Sequence, residues 1–321
     1  MDPTEPTPSR PAAPARTVKV PEDRDGQRLD NFLLNQLKGA PRSLVYNLVR
    51  SGQVRVNGGR AKAERKLEAG DEVRIPPVRL DEPSEKGTPA KGLLAAMEAS
   101  IVFEDARLLA INKPAGVASH GGSGISFGAI ETMRALRPKE QLELVHRLDR
   151  DTSGLLVIAK KRSALSELQA LMREDGGIAK RYLALLVGRL PNGTMTVDAP
   201  LHIGLRQGGE RHVQVNPDGK PSVSHFKALQ PRRGQSYCEV RIETGRTHQI
   251  RVHAQHIGHP VAGDDKYGDP AANKKLREQV GLKRMFLHAS TLEFALDGGR
   301  APYLLNAPLA SELVDVLDRL A

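Results

Sequence analysis

A succession of apolar, strand-length runs sets the limits on how this chain can fold. They lie at 101–103, 108–111, 142–145, 155–159, 182–187, 222–229, 237–242 and 286–294, and several follow one another with no helical stretch between. Parallel neighbours need a long crossover, usually a helix. Strands in direct succession therefore point to antiparallel or mixed pairing. Helical spacing appears at 164–172 (Ala164, Leu165, Leu168, Leu171, Met172) and at 250–257 (Ile250, Ala254, Ile257). The expected fold class is α+β: a mixed, largely antiparallel sheet with flanking helices over 99–321, preceded by a small α/β domain.

That smaller domain is expected over 17–80. Leu29, Phe32, Leu33 and Leu37 repeat at helical spacing, and Gly39 stops the helix. Leu44, Val45, Leu48 and Val49 mark a second short helix ending near Gly52. Val54 and Val56, then Val73 and Ile75, alternate with polar residues as strands do, with Asn57-Gly58-Gly59 and Ala69-Gly70-Asp71 as turns. Residues 1–16 carry five prolines and read as a disordered tail, and 81–98 lose periodicity and read as a linker running into a short helix.

Charge narrows the partner. Lys and Arg number 48 against 38 Asp and Glu, a net charge of +10, which attracts a polyanion, most simply nucleic acid. The excess is concentrated: Arg42, Arg50, Arg55, Arg60, Lys62, Arg65 and Lys66 face one acid, Glu64, within 42–66. With aromatics at 3% and no Trp, phosphate contacts rather than base stacking are expected to carry the affinity.

Other functional classes find little support. The glycines at 121, 122, 124 and 128 miss the spacing of a dinucleotide fingerprint, and neither a P-loop nor a G-x-S-x-G elbow occurs. His248, His253, His256 and His259 fall at gaps of five, three and three, which misses the i,i+4 pair of a helical zinc site, so no metal is expected. One cysteine, Cys238, excludes an intrachain disulfide. With no apolar leader and no long apolar run, a cytoplasmic chain without a membrane segment is expected.

One stretch carries chemistry. Residues 142–160 place a polar turn between two apolar runs, with Asp149 at the mouth of the first and Arg147 and Arg150 beside it. Neighbouring cations stabilise a carboxylate, and Asp151, Thr152 and Ser153 already supply turn chemistry. HRLDRDTSGLLVIAK resembles the signature of the RluA-type pseudouridine synthases. AKRYLALLVG (179–188), ETGRTHQIRVHAQHIGHPVAGDDKYG (243–268) and INKPAGVASHGG (111–122) are similar to that family's other segments. The likeness covers nearly everything from 101 to 294, and the small basic domain resembles an S4 RNA-binding domain. Stretches at 119–124 and 135–138 are similar to family members that act on large-subunit (23S) ribosomal RNA.

The resemblance implies an isomerase that needs no cofactor, with Asp149 as the catalytic carboxylate acting on a flipped-out uridine. It also implies that Arg246 pairs with that aspartate at the start of a helix over 247–257, that Tyr182 packs against the uracil, and that Arg147 fills the space the base vacates. Ribosomal RNA is the expected partner, with the seven basic residues of 42–66 on its phosphates, and the chain is expected to be a monomer. His146 is expected to be structural and Leu148 core. The competing expectation is a non-catalytic RNA-binding or ribosome-assembly protein, which has no use for Asp149, Tyr182 and Arg246 together.

Overall fold

The computed structural model describes residues 14–37, 40, 42–78, 88–122, 126–174, 176–205, 211–297 and 301–321. The chain divides into two compact units, Met1–Gly87 and Thr88–Ala321. Gly39, Gly124, the tail to residue 13 and the linker over 81–87 lie outside the described residues.

In the first unit, β1 (Arg16–Lys19), α1 (Leu29–Gln36), α2 (Arg42–Arg50), β2 (Arg55–Val56) and β3 (Glu72–Ile75) follow in order. The strands form an antiparallel sheet in the order β1-β3-β2. The period of two in β3 buries Val73 and Ile75 and exposes Glu72 and Arg74. Leu29, Phe32 and Leu33 of α1 and Val45, Leu48 and Val49 of α2 close the core over that sheet. β1 starts at Arg16, the last residue of the expected tail.

The second unit opens with α3 (Lys91–Ala99), inside the stretch expected as linker. Met97 is fully buried against Leu109 and Ile111, so this segment belongs to the core. The elements that follow are β4 (Ile101–Glu104), β5 (Leu108–Lys113), α4 (Ala129–Leu136), β6 (Glu143–Leu144), β7 (Ser153–Ala159), α5 (Arg162–Leu171), β8 (Ala179–Val187) and β9 (Thr194–Asp198). They continue with β10 (Leu201–Leu205), β11 (Arg211–Val215), β12 (Val223–Arg232), β13 (Gln235–Ile242), α6 (Gln249–His256), α7 (Pro270–Val280), β14 (Leu287–Phe294), β15 (Tyr303–Asn306) and α8 (Ser311–Arg319).

One ten-stranded sheet spans the unit in the order β4-β5-β7-β14-β8-β13-β12-β9, with β15 on β14 and β6 on β7. The β7–β14 pair is parallel; the other pairs are antiparallel. A mixed, largely antiparallel sheet is what the run of successive strands requires.

Alternation sends neighbouring residues to opposite layers. Leu108, Ala110, Leu155 and Val157 meet Leu165 and Leu168 of α5. Leu109, Ile111, Leu156 and Ile158 meet α3 and α4. In β8, Ala184 and Leu186 face Ile250 and Ala254 of α6, while Leu185 faces α7 and α8. Every residue of β7 is buried, which explains why its sequence after Ser153 runs apolar rather than alternating.

Candidate active site

At its centre the sheet admits no side chain. Gly154 stands opposite Ala289 in the parallel β7–β14 pair, with φ at +112°, and a Cβ there would lie 2.2 Å from the Ala289 carbonyl oxygen. Only glycine permits this approach and this dihedral. The chain enters β7 through the loop 145–152, which carries Asp149. β6, the first of the two runs flanking that turn, forms only two residues of strand, so strand geometry does not hold the aspartate.

The loop is held by cross-links. The Leu148 N–H donates to Ser119 Oγ at 2.9 Å, and that hydroxyl donates to the Leu148 carbonyl at 2.8 Å. Lys113, fully buried, donates from Nζ to the carbonyls of Pro114 (2.9 Å), Val117 (2.7 Å) and Arg150 (3.2 Å). The Val157 N–H donates to His146 Nε2 at 3.1 Å. His146 must be unprotonated there to accept, and burial pushes its pKa down to about 4. Leu148 is buried in the core, as expected.

Asp149 is held by a cation from α6. Arg251 Nη1 donates to Asp149 Oδ2 at 3.1 Å. The same guanidinium forks onto Asp264, with Nε to Oδ2 at 2.7 Å and Nη2 to Oδ1 at 2.8 Å. The Asp264 side chain is completely buried. Burial opposes its ionisation, but Arg251 together with the backbone N–H groups of Lys266 and Tyr267 outweighs that and holds the carboxyl below the usual carboxylate range. Burial also opposes the charge on Arg251, and Asp264 and Asp149 more than restore it.

The expected Arg246–Asp149 pair is therefore corrected. Arg246 is exposed, ahead of α6, and its Nε donates to the Pro221 carbonyl at 3.1 Å. α6 begins at Gln249, two residues later than expected. Its first turn carries Arg251 inward, where the side chain is 8% exposed. The flanking arginines do not pair with the carboxylate either. Arg150 bonds to Asp151 at 3.2 Å, and Arg147 forms no ion pair among the described residues.

Asp149, Arg147, Tyr182 and Arg246 nevertheless line one cleft, of about 490 Å³, with Ser119, His146, Lys180 and His248. That volume suits a nucleoside-sized ligand. Tyr182 reaches it from β8. The ring packs between two core clusters, and its hydroxyl makes no hydrogen bond among the described residues. Burial, and then the nearby Asp149 charge, raise its pKa, so the phenol keeps its proton.

His248 borders the same carboxylate at 3.8 Å. Its neighbours in the histidine cluster diverge. His253 bonds to Ser224 Oγ and the Ala199 carbonyl, and His259 bonds to the Val187 carbonyl. Arg251 and His248 escaped the sequence reading as neighbours of Asp149, and so did Asp264 as the anchor of Arg251. Arg251 and Arg246 stand five residues apart in one motif stretch, and only the start of α6 decides which turns inward.

In the smaller unit, Arg50, Arg60, Lys62, Arg65 and Lys66 are exposed and Arg55 is half-buried. Arg65 Nη2 lies 3.5 Å from Asp71 Oδ2. Arg42 begins α2, and its side chain lies outside the described residues.

Comparison with known proteins places these features in a family. Residues 107–256 match RNA pseudouridylate synthase, and residues 27–73 match the S4 domain. The chain is 50% identical over 301 residues to ribosomal large subunit pseudouridine synthase C of Salmonella typhimurium, covering 93% of this chain and 94% of that one. It is 49% identical to the protein of the same name from Escherichia coli K12, covering 95% and 96%. Among solved structures, human RNA pseudouridylate synthase domain containing 4 superposes with a TM-score of 0.59 at 25% identity, covering 71% of this chain and 95% of that one.

Proposed function

This chain belongs to the RNA pseudouridylate synthase family, and from that premise we propose that it isomerises uridines of large-subunit ribosomal RNA, with Asp149 as the catalytic carboxylate. The family makes it an enzyme. The names of its relatives support the substrate, and the basic S4-type unit supports RNA as the partner.

The observation that carries the reading is the single cleft in which Asp149, held by Arg251 through Oδ2, shares a wall with Tyr182. Pseudouridine formation breaks the N1–C1′ bond, turns the detached uracil and joins C5 to C1′. C5 loses a proton and N1 gains one. The product is an isomer, so the reaction consumes neither an oxidant nor ATP. A carboxylate can serve as a covalent or basic catalyst at the nucleotide, and the Arg251 guanidinium holds it in place by a charge-assisted hydrogen bond.

The remaining groups take supporting parts. Tyr182 presents its ring to the uracil and, as a protonated phenol, a hydroxyl near the C5 proton. The target must leave its stack, at a cost of about a few kcal/mol, and the exposed Arg147 at the rim takes the space it leaves. Arg246, no longer the partner of Asp149, is a phosphate contact at the cleft's edge. The S4-type unit before Thr88 and the catalytic unit from Thr88 onward, which includes α3, divide the labour between RNA capture and chemistry. The chain acts as a cytoplasmic monomer.

Pseudouridine mapping in ribosomal RNA from cells with and without the gene tests the proposal. Sites in the large-subunit RNA that lose the modification, and regain it on treatment of the deficient RNA with the purified protein, are the expected result. An unchanged map would overturn the assignment to ribosomal RNA.

A further inference from the structure

His248 occupies a backbone conformation that its position does not explain. It precedes α6 with φ at +54° and ψ at 19°, in the left-handed region, and its side chain does not cap the helix. Left-handed residues other than glycine are uncommon and gather at functional sites, where surrounding structure over-determines them. The ring of His248 is held between two other groups. Nδ1 lies 2.8 Å from the Tyr267 hydroxyl, and Nε2 lies 3.8 Å from Asp149 Oδ2.

Tyr267 settles where the ring proton sits. The phenol is buried, 1% exposed, with His212 stacked on its ring and Arg251 over its face. Its oxygen already accepts the Val213 N–H at 3.1 Å. Burial raises its pKa, so it carries a proton. The acceptor for that proton among the described residues is His248 Nδ1, and a buried hydroxyl proton without a partner is rare. A ring that accepts at Nδ1 and is neutral bears its hydrogen on Nε2, toward the carboxylate.

We propose that His248 is a positioning residue for Asp149: with its proton on Nε2 it donates to the oxygen that Arg251 also holds, and so leaves Oδ1 as the oxygen available to the nucleotide. The inference rests on Asp149 as the catalytic carboxylate. At 3.8 Å the contact is longer than a hydrogen bond. Contacts of this kind commonly run long until substrate draws the site together. The charged or titratable groups facing the ring are Asp149 from the loop before β7, Arg251 from α6, and Asp264, Lys266 and Tyr267 from the segment after it. Burial and the cations disfavour protonation of the ring, while the two carboxylates favour it, and the balance lowers its pKa.

Long-range proton–nitrogen spectra of the full-length protein labelled with 15N-histidine, together with single-turnover kinetics on ribosomal RNA fragments, test this. The expected spectrum shows His248 with a bare Nδ1 and a protonated Nε2 near neutral pH, and Tyr267→Phe mixes the two tautomers. His248→Ala is expected to slow turnover by about tenfold to a hundredfold with RNA affinity little changed, as a misplaced reacting group does. His248→Gln, which keeps an N–H donor, recovers part of that loss. A His248 protonated on Nδ1, or His248→Ala and His248→Gln turning over at the wild-type rate, overturns the proposal. The inactivity of Asp149→Asn in the same assay separates this failure from a failure of the catalytic assignment, because only the latter leaves Asp149→Asn active.

Discussion

Arg251 Nη1 donates to Asp149 Oδ2 across 3.1 Å, joining residues 102 apart in the chain. The same guanidinium is locked in place by the buried carboxylate of Asp264. The aspartate in the cleft therefore meets a cation that is already oriented, and the orientation costs nothing at the moment of reaction.

Asp149→Asn keeps the shape of the side chain and removes its charge. It is expected to abolish conversion of uridine to pseudouridine while leaving RNA affinity within about tenfold, a difference of about 1.4 kcal/mol. Release of tritium from 5-3H-uridine RNA and a filter-binding titration measure the two quantities. Wild-type turnover by this variant would remove Asp149 from the chemistry.

Arg251→Met strands Asp264, whose side chain has no exposure. Removing one member of a buried ion pair destabilises a protein by about 3–5 kcal/mol, and urea unfolding should show a loss of that order. Adding Asp264→Asn to Arg251→Met restores much of the stability without restoring turnover, since Asp149 still lacks its cation. Arg246→Gln, at an exposed side chain, leaves stability within about 0.5 kcal/mol. Full activity in the stable double variant would show that Arg251 serves the fold alone.

The core strands are legible in the sequence because burial on both faces makes β7 apolar from Leu155 to Ala159, and so short a run next to turn residues reads as a strand. Other elements leave a thinner trace. α7 buries only Asn273, Leu276 and Val280 of eleven residues, too few for a clear stripe. Its boundaries are set instead by Asp269, which caps two backbone N–H groups, and by Gly281 with φ at +76°. β10 and β11 pair with each other outside the main sheet, so half their side chains are free to be polar. In the site, Asp149, Tyr182 and Arg147 are found by motif and do share a cleft. The choice between Arg246 and Arg251 depends on where a helix starts, which periodicity fixes only to within a few residues.

His146 gives the protein a pH dependence with a definite sign. Its folded pKa is about 4, against 6.5 for the free side chain. Above pH 6.5 the imidazole is neutral in both states and stability is unaffected. As pH falls through 6.5 the unfolded state takes up a proton that the folded state refuses, so stability declines until about pH 4 and then levels. The loss from this residue is at most about 3 kcal/mol. His253 and His288, both with lowered pKa through burial, act in the same direction. Urea titrations between pH 7 and pH 4.5 on wild type and His146→Gln isolate the contribution. The variant offers the Gln carbonyl oxygen in place of Nε2 as acceptor for the Val157 N–H but carries no titrating group, so its stability falls less steeply with acid. Parallel slopes for the two proteins would refute the neutral imidazole at His146.

The basic face of the smaller unit should be visible in salt dependence. Arg50, Arg60, Lys62 and Lys66 are exposed, and none of them forms an ion pair among the described residues. If each neutralises one RNA phosphate, replacing all four by Gln removes four released counterions. The slope of log affinity against log salt then becomes shallower by up to about 4 × 0.7 for single-stranded contacts, and somewhat more for helical ones. Turnover at saturating RNA should hardly change, because these residues belong to a different compact unit from Asp149. The two readouts therefore separate: the variant loses affinity at physiological salt and regains most of it at low salt, while its maximal rate stays near wild type. An unchanged slope would mean that the cluster is a solvated face and that phosphates are held elsewhere.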